Sequence, residues 1–452
     1  MVRTWLYAGA TFAVLGAAWF QIFIRLPTLE AAGIYRKVQP MNYENCQRIS
    51  ELKACEKIKI LPSGMMYLAC AGTIESRITW MPTLDALDST AAHSKSTHDY
   101  LATYNIHTGK ITKLDVRGMV DPRGLNLHGM DVVPDEKDPD TLWIYLVNHR
   151  PPLDPTYIGA NSVIEVFKTQ LGMGHVDWVQ TVEDHTVVVT PNDIVGSSNG
   201  QEFWFTNDNS VKTGMWRHID GNFLRKTTFV GYCHLKHGCK RASVPLIGVN
   251  GIVQARYSAS DGSILVGSYR LGQLTVHKPK HDKTLEHVKT VDTGLPLDNL
   301  AVSADGSIIA AAFPKAHLIF PAARNSNITA PSGVLRLQKN SSKFEKLYED
   351  DGQLGSFATT AAMYEDTLFI HVPAGLGLGA AATARSAGVQ LGPPAKRACP
   401  LSPTQEGEKR SKAEARCRVT AKRAGGGPGW GWAPETARLV QNPLNGGQTT
   451  RP

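Results

Sequence analysis

The sequence predicts an all-β fold, a six-bladed β-propeller, from three observations. Short β-rich runs closed by turn residues recur throughout residues 46–372, with almost no helical periodicity. Two of these hairpins, at residues 260–266 and 304–310, have nearly the same sequence and lie 44 residues apart, a spacing typical of propeller blades. Weaker copies of the unit follow four other turns: Pro62-Ser63-Gly64, Asp138-Pro139-Asp140, Asn199-Gly200 and Glu365-Asp366. Six units therefore account for this region, with an array of β-sandwich sheets as the alternative.

The first 25 residues form a separate apolar segment. Residues 5–24 are 20 positions without a charged side chain, flanked by Arg3 and Arg25, which is long enough to cross a bilayer. The run exceeds the apolar region of a usual signal peptide, and no clear small-x-small cleavage site follows it. We therefore expect a signal anchor, with a signal peptide as the alternative, and a linker over residues 26–45. Either interpretation predicts the secretory pathway for the remaining chain, which is then membrane-anchored and luminal or extracellular, or secreted.

Cysteines and glycosylation sequons fit this oxidising compartment. Asn327 and Asn340 each begin an N-glycosylation sequon. Seven cysteines are available for disulfides, with one left over: Cys46, Cys55, Cys70, Cys233, Cys239, Cys399 and Cys417. Cys233 and Cys239 flank two histidines, and for an exported domain we expect a loop closed by a disulfide in preference to a zinc cluster.

The net charge of +8 arises from the C-terminal end of the chain. Residues 1–372 carry 36 basic and 36 acidic side chains, whereas residues 373–452 carry 12 basic and 4 acidic ones. The latter segment is rich in Gly, Ala, Pro and Arg, so we expect a low-complexity, disordered tail. The basic charge therefore gives no reason to expect nucleic acid as a partner of the folded domain.

Polar residues recur at matching distances ahead of the repeated turns. Glu56, Asn192 and Asp298 each lie seven residues before a turn residue, Asn250 lies eleven before and His128 nine before. The innermost strand of each propeller blade runs along the central channel, so these side chains should converge on the axis.

The converging set supplies oxygen donors, which predicts a hard cation such as Ca²⁺ and argues against zinc or copper. The candidate ligands are two carboxylates and three amides: Glu56, Asn192, Asn250, Asp298 and Asn299. The alternative is that each residue only caps its own hairpin turn.

Seven short motifs together resemble the paraoxonase/arylesterase family over roughly residues 46–372. They are Glu56 ahead of Ile60-Leu61-Pro62-Ser63-Gly64, Leu127-His128-Gly129, Val147-Asn148-His149, Pro191-Asn192-Asp193-Ile194-Val195, Thr206-Asn207-Asp208, Asn250-Gly251-Ile252 and Asp298-Asn299-Leu300. The resemblance implies a catalytic calcium held by the five ligands above. It also implies that His128 and His149 form a dyad that activates water, although a lone histidine in a strand is often a hydrogen-bonded core residue.

Three departures from the family's pattern qualify this resemblance. The family's second, structural calcium would use Asp193, the carbonyl of Met130 and an acid at the position of Lys57, and a lysine cannot bind a cation. We expect the Lys57 ammonium to pair with Asp193 in place of that ion, which leaves one calcium per chain; alternatively, Lys57 points outward.

Phe313-Pro314 replaces a His-Pro pair, which puts phosphotriesterase activity in doubt. After residue 372 the chain lacks the family's closing strand and the cysteine that pairs with the one matching Cys46, so propeller closure should be incomplete.

The sequence therefore predicts a calcium-dependent arylesterase or lactonase, a carboxylic ester hydrolase that acts on a small-molecule ester or lactone. Calcium would polarise the carbonyl while the histidine dyad activates water. Two alternatives remain. One is a non-enzymatic propeller whose calcium is structural and whose face binds a partner, and the other is a sugar-lactonase-like propeller with polar substrates.

Overall fold

The computed structural model describes residues 2–44, 46–93, 99–154, 156–255, 262–325, 327–339, 341–372 and 379–383. Strands dominate these residues and form five four-stranded sheets, one five-stranded sheet and one two-stranded ribbon. In chain order the strands are β1 (Gln47–Arg48), β2 (Cys55–Ile60), β3 (Met65–Cys70), β4 (Trp80–Met81), β5 (Ala86–Leu87), β6 (Tyr100–Asn105), β7 (Ile111–Lys113), β8 (Asp115–Arg117), β9 (Leu127–Pro134), β10 (Thr141–Arg150), β11 (Asn161–Gln170), β12 (His175–Val182), β13 (Pro191–Gly196), β14 (Glu202–Asn207), β15 (Phe229–His234), β16 (Gly238–Arg241), β17 (Val249–Ala255), β18 (Ser263–Ser268), β19 (Gln273–Pro279), β20 (Leu285–Asp292), β21 (Leu297–Val302), β22 (Ile308–Ala312), β23 (Ser332–Leu337), β24 (Phe344–Asp350), β25 (Thr360–Tyr364), β26 (Thr367–His371) and β27 (Gly379–Thr383).

Helices occur at the N-terminus and in the connections between strands. They are α1 (Val2–Phe20), α2 (Leu26–Ala31), α3 (Ile74–Thr79), α4 (Ser89–Ala92), α5 (Met215–Asn222) and α6 (Ile319–Arg324). A π-helical turn, Gln21–Arg25, joins α1 to α2, and short 3₁₀ turns cover Pro82–Leu84 and Ala316–Leu318.

The large sheets are arranged as a ring. Their strand orders, from the axis outward, are β2-β3-β6-β7, β9-β10-β11-β12-β8, β13-β14-β15-β16, β17-β18-β19-β20, β21-β22-β23-β24 and β25-β26-β27-β1. The first strand of each sheet contacts the first strands of the sheets on both sides, and β25 contacts β2. The predicted all-β propeller arrangement is confirmed. Five sheets, rather than the six expected, have the regular four-stranded form of a blade, because β8 joins the outer edge of the remaining sheet in parallel with β12.

One repeated turn of the sequence forms the hairpin between β21 and β22. The Asp305 carboxylate accepts a hydrogen bond from the Ser307 backbone N–H at 2.9 Å, and Gly306 has a φ of +80°. Asp and Gly are favoured in such a turn because one accepts local hydrogen bonds and the other adopts positive φ without strain. The start of the matching turn, residues 260 and 261, lies outside the described residues.

Buried apolar side chains fill the spaces between neighbouring sheets. Leu101 and Leu127 belong to one such cluster, between the sheets of β6 and β9, and Tyr145 and Phe203 pack with ring centroids 5.6 Å apart between the sheets of β10 and β14. Burial on both faces of a sheet explains the near-continuous apolar runs of the second strands, such as β3, β18 and β22.

The last sheet contains strands from both ends of the propeller sequence. Gly379–Thr383 pairs with β26 on one side and with β1 on the other. The predicted propeller of residues 46–372 therefore gains a closing strand, and the expected incomplete closure is wrong. The other residues of the predicted tail, with Cys399 and Cys417, lie outside the described part of the chain.

Two disulfides stabilise the hairpins of the outer and inner strands. Cys233 and Cys239 are bonded, as predicted, and a second disulfide joins Cys55 to Cys70. Among the described cysteines, Cys46 is free. Asn327 of the first sequon is exposed, whereas Asn340 of the second lies outside the described residues.

The N-terminal helical segment meets the criteria for a membrane span. The stretch Gly9–Ala31 is helical, apolar and long enough to cross a bilayer, and it lies near the N-terminus, where a signal sequence has the same properties. Phe20 at the end of α1 packs against Phe223, which follows α5, with ring centroids 6.3 Å apart. That this segment is an uncleaved signal anchor stays a prediction.

Candidate functional site

β-Bulges in the inner strands set the direction of the candidate site residues. Four inner strands shift register with the next strand at their polar positions. The shifts lie between Cys55 and Lys57 in β2, Pro191 and Ile194 in β13, Val249 and Ile252 in β17, and Leu297 and Leu300 in β21. A further shift in the pairing of β9 with β10 falls at His128 and Gly129. A bulge takes residues out of the ladder and redirects their side chains, which is why bulges are frequent beside functional sites.

Four of the five predicted calcium ligands line one cavity. The cavity has a volume of about 260 Å³, and its lining includes Glu56, Asn192, Asn250 and Asp298. All four side chains are buried. The fifth residue, Asn299, lies behind Glu56, where its Nδ2 donates to the Glu56 carbonyl at 3.1 Å and its Oδ1 is 3.4 Å from Lys57 Nζ.

Two amide oxygens in this cluster have no protein partner. Asn192 Oδ1 and Asn250 Oδ1 are buried and accept no hydrogen bond from the described residues. Buried polar atoms are normally satisfied, so unpartnered oxygens beside two carboxylates fit the chemistry of a hard cation. In the described ranges no three His, Cys, Asp or Glu side chains form a potential metal site, because only Glu56 and Asp298 of this cluster belong to those types.

Burial perturbs the acidity of both carboxylates. Desolvation raises the pKa of Glu56 to about 7, although Arg77 and a hydrogen bond from Thr359 favour its charged form. Desolvation raises the pKa of Asp298 well above its usual value, and the neighbouring Glu56 and Asp193 carboxylates raise it further. Two buried carboxylates that repel each other favour a proton or a cation between them.

His128 and His149 lie next to each other, as the sequence predicted. Their ring centroids are 5.3 Å apart, and His128 Nε2 lies 3.7 Å from Glu56 Oε1. His128 borders the cavity, whereas His149 lies behind it with Nδ1 2.8 Å from Ser162 Oγ. Burial, followed by the positive charges of Arg77 and other groups, lowers the pKa of His149 to about 3. Burial, followed by the neighbouring His149 and Arg77, lowers the pKa of His128 well below its usual value. Both imidazoles are therefore neutral at pH 7.

Lys57 extends its ammonium group toward the axis. Nζ lies 2.6 Å from Asp193 Oδ2 and donates to the Leu300 carbonyl at 3.1 Å, and the pair is buried. The predicted pairing of Lys57 with Asp193 is confirmed. Met130 and Lys57 both line a further part of the central channel. The ammonium pairs with Oδ2 of Asp193, whereas Asp193 Oδ1 is buried without a hydrogen-bond partner among the described residues. Asp193 and Met130 as ligands of a second ion stay a prediction.

Several site residues were missed by sequence reasoning. Thr359 donates to Glu56 Oε2 at 3.3 Å, Asp208 accepts from Asn192 Nδ2 at 3.3 Å, and Arg77 of α3 donates to the Leu127 carbonyl at 2.6 Å. Thr359 lies six residues before the Glu365-Asp366 turn, so the spacing rule could have identified it. Asp208 follows no such spacing, although it ends the Thr206-Asn207-Asp208 motif, and Arg77 belongs neither to the spacing nor to a motif.

A serine site is not supported by the fold. Residues Gly196-Ser197-Ser198-Asn199-Gly200 have the Gly-x-Ser-x-Gly spacing of a nucleophile elbow, but they form the hairpin turn between β13 and β14. A nucleophile elbow requires a strand-to-helix turn.

The walls of the cavity are largely apolar. Met81, Phe313, Ile319, Phe320 and Phe357 are among the residues that line it, together with Ala31 of α2 and Ala32 directly after it. Phe313, one of the departures noted in the sequence, therefore borders the candidate site and makes its wall less polar.

The fold and the site define a β-propeller whose polar axial residues line a largely apolar cavity. The profile of the arylesterase family matches residues 37–376. Because this match covers most of the chain, the protein belongs to the arylesterase family and is a hydrolase of that general class. The resemblance seen in the sequence motifs is confirmed.

The solved structures that match this chain differ strongly from it in sequence. A putative gluconolactonase matches with a TM-score of 0.41 and 11% identity, over 77% of this chain and 97% of that chain. Virginiamycin B lyase from Staphylococcus aureus matches with a TM-score of 0.38 and 12% identity, over 77% and 98% of the two chains. A hypothetical selenium-binding protein from Sulfolobus tokodaii matches with a TM-score of 0.39 and 9% identity, over 75% and 72%. No curated protein matches the sequence.

Proposed function

We propose that this protein is a calcium-dependent hydrolase of carboxylic esters or lactones. The observation that carries the proposal is the pair of unpartnered, buried oxygens, Asn192 Oδ1 and Asn250 Oδ1, beside the carboxylates of Glu56 and Asp298. Oxygen donors of this number and type suit Ca²⁺. Membership of the arylesterase family supports ester or lactone hydrolysis as the reaction.

Glu56, Asn192, Asn250, Asp298 and Asn299 are the residues that would hold the ion. Bound calcium supplies the positive charge that polarises a carbonyl and stabilises a developing oxyanion. Asn299 takes part only if its amide group turns, because its oxygen now faces Lys57 Nζ. Turning the amide breaks the hydrogen bond from Asn299 Nδ2 to the Glu56 carbonyl, so bound calcium must compensate for that loss.

In this proposal His128 accepts the proton of the attacking water. His128 borders the cavity and is neutral, and its Nδ1 has no hydrogen-bond partner among the described residues. A neutral imidazole within reach of water can act as a general base. His149 stands behind His128, and the Ser162 hydroxyl fixes its orientation. The apolar walls exclude bulk water from the acyl group.

The direct test is hydrolysis by the full chain in detergent. A panel of aryl esters and aliphatic lactones is assayed with added calcium, then with a chelator, then with calcium restored. We expect turnover that chelation removes and calcium restores. A folded, calcium-loaded protein that hydrolyses no member of the panel would instead favour the partner-binding propeller. Preference for sugar lactones alone would favour the polar-substrate alternative.

Variants separate metal binding from proton transfer. Glu56→Gln should abolish both bound calcium and turnover, because it removes one of two carboxylate ligands. His128→Asn and His149→Asn should each retain calcium and lower kcat by about 10²- to 10⁴-fold, the usual contribution of general base catalysis. His185→Asn is the matched control, since His185 is exposed and lies outside the cavity. Unchanged kcat in both dyad variants would contradict the role of the dyad.

We further propose the secretory pathway as the location, with the N-terminal helix as a membrane anchor. The apolar helix Gly9–Ala31 and the two disulfides support this location. The exposed Asn327 is then available for glycosylation. A glycosidase-sensitive shift in electrophoretic mobility that Asn327→Gln reduces is the expected result for the expressed protein.

A further inference from the structure

One cationic side chain stands in the apolar wall of the candidate cavity. Arg270 follows β18 and, among the described residues that line the cavity, is the one with a permanently positive charge. The acidic lining residues Glu56 and Asp298 belong to the predicted ion site, and Asp208 interacts with Asn192. The charge of Arg270 therefore needs an explanation of its own.

Local structure holds the Arg270 side chain in one place. The Ser268 hydroxyl accepts hydrogen bonds from the backbone N–H groups of Arg270 and Leu271, at 3.3 and 3.0 Å, which fixes the turn after β18. The guanidinium lies over the ring of Tyr269, 4.7 Å from its centroid. Tyr269 also lines the cavity.

Two glycines leave room for this arginine. A Cβ atom at Gly221 would lie 2.8 Å from Arg270 Cζ, and one at Gly248 would lie 2.7 Å from Arg270 Cβ. Gly221 belongs to α5 and Gly248 precedes β17, so neighbouring elements pack closely against the side chain from two directions. Close backbone approach of this kind limits the side chain to a small set of rotamers.

The guanidinium has no counter-charge within the described part of the chain. Arg270 forms no ion pair there, and its Nε is buried without a hydrogen-bond partner. The nearby acid Asp220 is already engaged, because it pairs with Arg225 at 2.8 Å and accepts a hydrogen bond from Ser210. This Nε–H is one of the five donors of the side chain, and leaving it buried and unpaired is unfavourable.

We propose that Arg270 binds a carboxylate carried by the substrate, on the part of the molecule remote from the scissile carbonyl. The planar guanidinium can donate two parallel hydrogen bonds to a carboxylate. The surrounding apolar walls suit a hydrocarbon chain, so the substrate class is an ester or lactone whose apolar acyl chain ends in a carboxylate. This inference rests on the proposed hydrolase function, within which Arg270 determines specificity.

The first test compares two aryl esters of equal acyl length. The 4-nitrophenyl ester of hexanoic acid is neutral, and the mono-4-nitrophenyl ester of adipic acid carries a terminal carboxylate. For Arg270→Met we expect kcat/KM for the adipate ester to fall by about 10- to 100-fold, mainly through KM, as for the loss of hydrogen bonds to a charged group. For the hexanoate ester, kcat/KM should change by less than about twofold. Arg270→Lys should retain part of the preference for the adipate ester, because lysine keeps the positive charge but cannot donate two parallel hydrogen bonds to a carboxylate.

Arg241→Met is the matched control for these variants. Arg241 also stacks on an aromatic ring, with its guanidinium 4.4 Å from the Phe229 centroid, but it is exposed in β16 and does not line the cavity. We expect it to leave both esters unaffected. Parallel losses on both esters in Arg270→Met, or no loss on either, would overturn the proposal.

A binding measurement separates this inference from the proposed reaction. The mono-anilide of adipic acid and the anilide of hexanoic acid keep the two acyl chains but replace the ester by a stable amide. By calorimetry with the calcium-loaded full chain, the adipic compound should bind more tightly, and Arg270→Met should remove the difference. If neither ester is hydrolysed, the proposed reaction fails while this comparison still decides the role of Arg270. Equal binding of the two anilides to the wild type refutes that role.

Discussion

At the scale of single residues, Lys57 shows how a buried charge is accommodated near the axis. Its side chain is 5% exposed, and that of its partner Asp193 is fully buried. Transferring either charge from water is costly, so the pair is tolerated because each group compensates the other. Removing one partner should therefore cost far more than the pair contributes when intact.

We expect Lys57→Met to lower the free energy of unfolding by about 3–5 kcal/mol, because it leaves the Asp193 carboxylate buried and unpaired. Adding Asp193→Asn should recover much of this loss. Lys59→Met is the control: Lys59 Nζ lies 2.6 Å from Asp131, the same separation, but its side chain is 39% exposed. The Asp131 side chain is 7% exposed, but it keeps hydrogen bonds from the backbone N–H groups of Val132 and Gly196 when Lys59 is removed, so this loss should be smaller. Urea denaturation measures the free energy of unfolding of both variants. Equal losses in Lys57→Met and Lys59→Met would contradict this account.

The ammonium of Lys57 also bears on metal content. If it takes the place of a second ion, the purified protein should contain one calcium per chain, whereas Lys57→Asp should allow a second ion to bind beside Asp193. Elemental analysis after dialysis against dilute calcium gives both numbers. Two ions in the wild type would contradict the replacement of an ion by Lys57.

Glu56 should link stability and calcium binding to pH. Its pKa is raised from 4.5 to about 7 by burial, so the folded, metal-free protein binds a proton that the unfolded chain releases between these values. This contribution to stability is present in full below about pH 4.5 and is lost as the pH rises through about 7. Calcium displaces the proton, so calcium affinity should fall as the pH decreases below about 7.

The control for this prediction is Glu56→Gln. His128 and His149 have lowered pKa values and act in the opposite direction, since their contribution is lost as the pH falls below the unfolded-state value. We therefore expect the metal-free wild type to lose stability relative to metal-free Glu56→Gln as the pH rises from about 5 to about 8. Thermal denaturation of both proteins across this pH range measures the difference. Parallel pH profiles would contradict a raised pKa at Glu56.

At the scale of elements, the bulged inner strands explain which parts of the site the sequence could predict. Glu56, Asn192, Asn250 and Asp298 were predictable because polar residues inside apolar strands recur at similar distances from a turn. The bulges themselves were not, since a register shift is a property of two paired strands. Arg270 and other residues outside the inner strands join the site through tertiary packing, which no spacing along the chain encodes.

Two glycines in these bulges allow adjacent inner strands to approach closely. A Cβ at Gly129 would lie 2.5 Å from Asp193 Cα, and one at Gly251 would lie 2.7 Å from Leu300 N. Gly129→Ala and Gly251→Ala should each lower the free energy of unfolding by about 1–3 kcal/mol or more, the usual cost of overpacking. They should also weaken calcium binding, because the displaced backbone carries Asn192 or Asp298.

Gly174→Ala is the matched control for both variants. A Cβ at Gly174 would meet its nearest atom, Thr112 Cγ2, at an ordinary 3.9 Å. Calcium titrations and urea denaturation of the three variants compare the effects directly. Calcium affinity that is unchanged in both bulge variants would show that the spacing of the inner strands does not set the geometry of the site.

At the scale of the whole molecule, one sheet joins the two ends of the propeller sequence. Without β27, this sheet would keep β25 and β26 as a hairpin, and the two-residue β1 would lose its partner. An isolated two-stranded hairpin is marginally stable in water. The consequence reaches the site, because Thr359 directly precedes β25 and donates to Glu56 of β2 across the junction of the first and last sheets.

We therefore expect a chain that ends at residue 372 to differ from one that ends at residue 383. The shorter chain should unfold at a lower temperature and less cooperatively, and it should bind calcium more weakly because β25 no longer holds Thr359 beside Glu56. The longer chain retains Gly379–Thr383 and should match the full chain in both respects. Scanning calorimetry with and without calcium measures the transitions. Identical midpoints for the two truncated chains would mean that contacts between inner strands alone keep the ring closed, and that β1 and β27 are dispensable for the site.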